Sequence, residues 1–237
     1  NGRERENDIA KDKNVPTTMP ERATCIGTLS LSDNGLRNIP SWIFEINALL
    51  ILEINSNPIS KIPPEIDRLR GLQTLRIEYT NIRYIPSGFS NLISLTHLSF
   101  KGTRFTTAPR EIFELSRLKV LDLSFCGHNE ENFLEELTNL QGLVELNLES
   151  TRFKRLPSTM GSLGRLRSLH LIACDLFELP SSFSCLVSLT HLDVCSNRFT
   201  SLNSLARNLR SLNTLRADYN MFSKLEDWEG TPYLEKL

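Results

Sequence analysis

An α/β repeat solenoid is the fold this sequence predicts, and three observations predict it. The stretch from Leu49 to Arg70 returns 23 residues later from Leu72, with apolar residues in the same places. The first six residues of each copy alternate apolar and polar, as Leu52 and Ile54 do, which is the period of a strand. The second half reads Ile/Leu-Pro-x-x-Ile/Phe-x-x-Leu, as in Ile62-Pro63, Ile66 and Leu69, and spacing by three suits a 3₁₀ or one-turn helical segment. Such a unit has a strand on one side and a helical turn on the other. It cannot close a core alone; stacking copies buries it.

Residues 1–24 do not match the period. Residues 1–14 are polar and charged and read as a solvated linker or short capping helix, and Pro16 and Pro20 break the next stretch of chain. The open core edge of the first unit needs cover, so Val15 to Thr24 are expected to pack there. Nine units then fill 26–233, starting at Ile26, Leu49, Leu72, Leu95, Leu118, Leu143, Leu166, Leu189 and Leu212. Each strand is expected to run about three to five residues. An Asn, Thr or Cys comes after it: Asn34, Asn57, Thr80, Thr103, Cys126, Thr151, Cys174, Asn197 and Asn220. The chain turns there, and buried backbone groups in a turn need partners. A short hydrogen-bonding side chain answers that need in each unit, so stacked units should form a ladder.

The fifth unit is two residues longer than the others and lacks the proline. His128 replaces an expected apolar residue within the insertion Gly127 to Phe133, which is read as a bulge on the outer face, with a partner-shaped insertion as the alternative. Units eight and nine lose the proline at Asn203 and Glu226. Residues 234–237 open a truncated tenth unit. With Asn1 at the start, this leads to the expectation of a piece cut from a longer protein, its open end partly covered by Trp228 and Tyr233.

At 40% hydrophobic and 23% charged residues the composition is that of an ordinary soluble chain. A net charge of −1 gives no general pull towards nucleic acid or an anionic membrane. No apolar run approaches the roughly 20 residues needed to span a bilayer. The five cysteines form no Cys-x-x-Cys pair. Cys126 and Cys174 share the turn slot of Asn57, Cys25 and Cys185 fall near other core positions, and Cys195 lies on a strand. All read as reduced core thiols. No Asn-x-Ser/Thr sequon occurs, which together with the thiols favours a cytoplasmic protein.

The pattern LxxLxLxxNxIxxIPxxIxxLxx, as in 49–71, resembles a leucine-rich repeat of the 23-residue intracellular type, and in-phase copies cover nearly the whole chain. The Ile/Leu-Pro variant is similar to Ras-pathway scaffolds, their plant relatives and polarity scaffolds; LDLSFC at 121–126 is similar to intracellular plant immune receptors. The resemblance implies a right-handed horseshoe with a concave parallel sheet and convex 3₁₀ or short helical turns. It implies a non-catalytic protein-interaction module without cofactor, in the first place a signalling scaffold or adaptor for a small GTPase or phosphatase. The alternatives are the recognition domain of an immune receptor, and the targeting module of a ubiquitin ligase or kinase whose catalytic domain lies outside this sequence.

On such a fold the residues between the leucines face the concave side. One column reads Ser30, Glu53, Arg76, Ser99, Asp122, Asn147, His170, Asp193, Arg216. Two residues on come Ser32, Asn55, Glu78, Lys101, Ser124, Glu149, Ile172, Cys195, Asp218. The next reads Asp33, Ser56, Tyr79, Gly102, Phe125, Ser150, Ala173, Ser196, Tyr219. These columns are polar and varied where the inward ones are uniform. Aromatics and arginine tend to carry interface energy. The candidate partner-binding residues are therefore Arg76, Glu78, Tyr79, Lys101, Arg104, Phe125 and Tyr219. His170, Asp193 and Cys195 fall on adjacent strands, but an open sheet supplies neither water exclusion nor an oxyanion donor, so a polar ladder is the expected reading. His97 and His191 share one slot in LTHL and read as repeat furniture. Interspersed acids and the lack of a basic stripe disfavour nucleic acid.

Overall fold

The computed structural model describes residues 15–16, 18–20, 23–105, 109–126, 133–151, 153, 155–202 and 209–222. Among the described residues, nine strands of three residues each lie in one parallel sheet in chain order. They are β1 (Thr28–Ser30), β2 (Ile51–Glu53), β3 (Thr74–Arg76), β4 (His97–Ser99), β5 (Val120–Asp122), β6 (Glu145–Asn147), β7 (Ser168–His170), β8 (His191–Asp193) and β9 (Thr214–Arg216). Leu52 pairs with Leu75, Leu75 with Leu98 and Leu98 with Leu121, so the leucines form a single buried row. The register holds across the long fifth unit, where Leu121 still faces Leu146. Both faces of a parallel strand usually need cover. Here the inner face is covered by the outer half of each unit, and the other face is left open.

Backbone pairing runs on past the strands. Leu31 N donates to Glu53 O (2.7 Å) and Asp33 N to Asn55 O (3.0 Å), and the same pair of bonds recurs up to Ser196 N and Asp218 O (2.8 Å). Pairing thus runs over six residues of each unit, Thr28 to Asp33 in the first, rather than three.

Seven of the nine turn slots are buried, as predicted, while Asn34 and Asn220 in the two end units are only partly so; the slots form the expected ladder in two chemical versions. Asn197 accepts from Cys174 N (3.1 Å) and Leu176 N (3.0 Å) and donates to Leu171 O (2.6 Å), Val194 O (3.0 Å) and Cys195 O (3.1 Å). Asn57 repeats this set against the first unit. Thr103 and Cys126 have no amide to donate, so their own backbone N–H closes the turn, onto Phe100 O (3.0 Å) and Leu123 O (3.3 Å). The Cys126 thiol then reaches back to Phe100 O (3.1 Å), and the Cys174 thiol to Leu148 O (3.0 Å). Thr80 departs from the expectation: its buried hydroxyl has no partner among the described residues.

The outer layer is a row of 3₁₀ turns at Ser41–Glu45, Pro64–Arg68, Ser87–Asn91, Arg110–Glu114, Ser158–Ser162 and Ser181–Cys185. Each comes after a proline that caps it, and the proline carbonyl accepts the first bond, as in Phe89 N to Pro86 O (2.9 Å). The fifth unit differs. Without its proline it forms a short α-helix, α1 (Phe133–Leu137), with Phe133, Leu134 and Leu137 buried. The Phe133 ring packs 5.3 Å from Phe113 and lies parallel to Phe153 at 6.1 Å. The expected bulge at 127–132, and the positions Asn203, Glu226, Trp228 and Tyr233, lie outside the described residues.

At the first edge, Val15 and Met19 pack partly buried against the core, and Trp42 Nε1 donates to Pro16 O (2.8 Å). Two cysteine expectations are corrected. Cys25 and Cys185 are exposed, Cys25 closing a short 3₁₀ turn and Cys185 ending the turn from Ser181, whose inward position Phe183 takes instead. Among the described residues no helix is long and apolar enough to cross a membrane.

Candidate functional site

The open face of the sheet collects the variable side chains. Its first column keeps to the strand register from Ser30 through Arg76 and Asp122 to Arg216. The third column has a geometry that the alternation did not reveal. All nine of its residues have positive φ, between 52° at Tyr79 and 67° at Gly102. A left-handed residue ends the strand's alternation. Because eight of the nine are not glycine, the backbone alone does not explain Gly102.

The Tyr79 ring explains it. A Cβ at position 102 would lie 2.6 Å from Tyr79 Cδ1 and 2.9 Å from Cε1. Tyr79 therefore leans over the gap that Gly102 leaves in the next unit, towards Phe125 in the one after. Lys101 stands between the two rings, its Nζ 5.9 Å from the Tyr79 centroid and 5.5 Å from that of Phe125. Burial alone would lower the pKa of this ammonium. The Tyr79 hydroxyl, Asp122 and Glu149 outweigh burial and hold it above the usual lysine value. Both rings are exposed, Tyr79 at 55% and Phe125 at 45%.

Beside this cluster the sheet face holds an open depression of about 300 Å³, lined by Arg76, Glu78, Lys101, Asp122, Glu145 and Asn147 among others. Asp122 accepts from Ser124 N (2.8 Å) and from Asn147 Nδ2 (3.3 Å), which fixes its carboxylate. Ser124 is fully buried between Lys101 and Glu149 in the second column, and its hydroxyl has no partner among the described residues. Over the three columns and the first strand position, the face carries eight carboxylates and three Lys or Arg side chains.

Of the seven sequence candidates, the structure brings Tyr79, Lys101 and Phe125 together and sets Glu78 at the depression's edge. Arg76 lines the depression but also pairs with Glu53 in the unit before (3.5 Å). Arg104 lies exposed beyond the turn, its N–H bonded to Ile82 O (3.1 Å). Tyr219 is 86% exposed in the ninth unit, at the far end of the sheet from Tyr79 in the third. The columns are not uniformly open either: Ser99, Ser124, Asp193 and Cys195 are buried within them.

The Cys–His–Asp group is wired against nucleophilic chemistry. Cys195 Sγ donates to Asp218 Oδ2 (3.3 Å), and burial, with the carboxylates of Asp193 and Asp218, pushes the thiol up to about 12. Asp193 pairs with Arg216 (3.3 Å), and His170 Nε2 lies 3.0 Å from Ser168 Oγ. A catalytic cysteine needs the reverse, a stabilised thiolate. His97 and His191 both face Thr hydroxyls, at 2.9 and 2.8 Å, in the shared slot. Among the described residues no three His, Cys, Asp or Glu side chains come together as metal ligands.

The family described as leucine-rich repeat region matches residues 48–149 and 112–227. No curated relative matches the chain significantly. Among solved structures, a leucine-rich repeat protein of Leptospira interrogans is 28% identical with a TM-score of 0.82, covering 88% of this chain and 53% of its own. The chain thus spans about half the length of that relative. Internalin C2 of Listeria monocytogenes is 27% identical with a TM-score of 0.65, with 72% of each chain covered. The plant peptide hormone receptor RGFR1 in complex with RGF2 shares the fold at 24% identity and a TM-score of 0.71, covering 90% of this chain and 36% of its own. With the family match running through eight of the nine stacked units, this chain belongs to the leucine-rich repeat family.

Proposed function

We propose that the chain binds a protein partner on the open sheet face of units three to six, with Tyr79 and Phe125 as anchors and Lys101, Glu78 and Arg76 around them. Leucine-rich repeat folds serve in general as non-catalytic protein-interaction modules, which supports the class of function. The observation that carries the location is a pair of exposed rings held in place around one ammonium beside an open depression. Exposed aromatics fixed in this way lose little side-chain freedom when a partner covers them. Arg104 and Tyr219 extend the surface beyond this centre as secondary contacts.

A signalling scaffold or adaptor, with a small GTPase or phosphatase as partner, is the role we assign, on the Ile/Leu-Pro form of the repeat. A cytoplasmic setting belongs to the same proposal. It is supported by the ladder bonds of Cys126 and Cys174, which need free thiols.

Capture from cell lysate, quantified for each protein, tests the location. A partner held by the native chain should be lost with Tyr79→Ala plus Phe125→Ala and kept with Ile93→Ser, an exposed residue at the end of a 3₁₀ turn. Equal thermal unfolding of the three chains makes the comparison valid. A capture profile that the double substitution leaves intact overturns the proposal.

A further inference from the structure

Over units three to six the sheet face is acidic. Glu78, Asp122, Glu145 and Glu149 stand there against two cations, in a chain whose overall charge is only −1. Of those cations Arg76 is already paired with Glu53. The other, Lys101, is engaged by two aromatic rings. It sits between Tyr79 and Phe125, with Asp122 and Glu149 close enough to stabilise it. Two rings and two carboxylates around an ammonium are the parts of a cation seat. The buried Ser124 hydroxyl, in the same column as Lys101, has no partner among the described residues. A hydrogen-bonding group without a partner is thus held one unit along from a side chain that can swing away on a long flexible stem.

We infer that this seat is made for a lysine or arginine of the partner, that Lys101 is its internal occupant, and that the partner presents an extended basic segment. The inference rests on the sheet face being the binding site. From the strand of Glu78 to that of Glu145 is three strand spacings, about 14 Å, which about four residues of extended chain span. One cation in the seat and one or two over Glu145 and Glu149 fit that reach. When the partner's cation enters, Lys101 moves into solvent, so in the free protein Lys101 competes with the partner. An acidic partner would instead use Lys101 as a contact. The two cases predict opposite signs for removing it.

The probes are two labelled peptide libraries of equal length, one rich in Lys and Arg, the other with Glu and Asp in the same places. Each is titrated against the full chain by fluorescence polarisation at low and high salt. The basic library should bind and the acidic one should not. Lys101→Met should tighten basic binding by about two- to fivefold. Glu145→Gln plus Glu149→Gln should weaken it by a similar factor, and less so at high salt. Preference for acidic peptides, binding of neither library, or weaker basic binding by Lys101→Met each overturns the inference. The Tyr79→Ala plus Phe125→Ala chain separates the two levels. If it loses both the captured protein partner and acidic peptides, the sheet-face site stands and only the basic-partner inference falls. If it keeps both, the site falls as well.

Discussion

The nine turn slots carry three residue types, and the bonds each type makes decide what a substitution does there. Asn197 satisfies two backbone N–H groups and three carbonyls of two units at once. Asn197→Ala leaves these groups buried without partners and should lower unfolding stability by about 3 kcal/mol or more, read as a lower urea midpoint. Thr80 brings a buried hydroxyl that bonds to nothing described, so Thr80→Val, alike in shape, should be neutral or stabilise by up to about 1 kcal/mol. A large loss at Thr80→Val would contradict this reading of the slot. Cys126 adds a pH dependence. Burial, against opposing bonds with Thr103, moves its thiol from 9.0 up to about 11. The folded state prefers the neutral thiol, so this contribution is intact below about pH 9 and is lost as pH rises towards the folded value. The native chain should lose roughly 1 kcal/mol more than Cys126→Thr between about pH 8 and pH 10. Parallel pH profiles would contradict it. The slots themselves were legible from the sequence, because small polar residues recur there. The left-handed residue before each slot was not, since Tyr79, Phe125 and Ala173 carry no local signal for positive φ.

At the scale of elements, the strands and the proline-capped turns came from periods of two and three. The α1 segment did not. Phe133, Leu134 and Leu137 have helical spacing, but the proline that marks the other outer turns is missing, and the insertion before them breaks the repeat pattern. Without a proline to fix its start, the longer unit has room for a full α turn and fills it with an aromatic. Phe133→Ala removes the ring between Phe113 and Phe153 and should destabilise by about 3–5 kcal/mol. In a stacked array each unit touches only its neighbours. Lost amide-exchange protection should therefore centre on units four to six and spare the strands β1 and β2. Uniform loss along the chain would show instead that the stack behaves as one cooperative block.

For the whole molecule, uniform inner columns and a varied outer one amount to a rigid support for a specific surface. The sequence columns already set Lys101 beside Tyr79 and Phe125, because residues one unit apart become neighbours in the sheet. They could not show that Arg76 would turn to Glu53, nor that Gly102 makes way for a ring, since both depend on where side chains lean. Charge separation across the molecule was equally hidden in a net value near zero. The central claim is that a partner seats on the sheet face of units three to six. The direct measurement is the partner's dissociation constant for the native chain and for Tyr79→Ala plus Phe125→Ala, both equally folded. A weakening of about tenfold or more is expected for the loss of two anchors. Equal dissociation constants would contradict it.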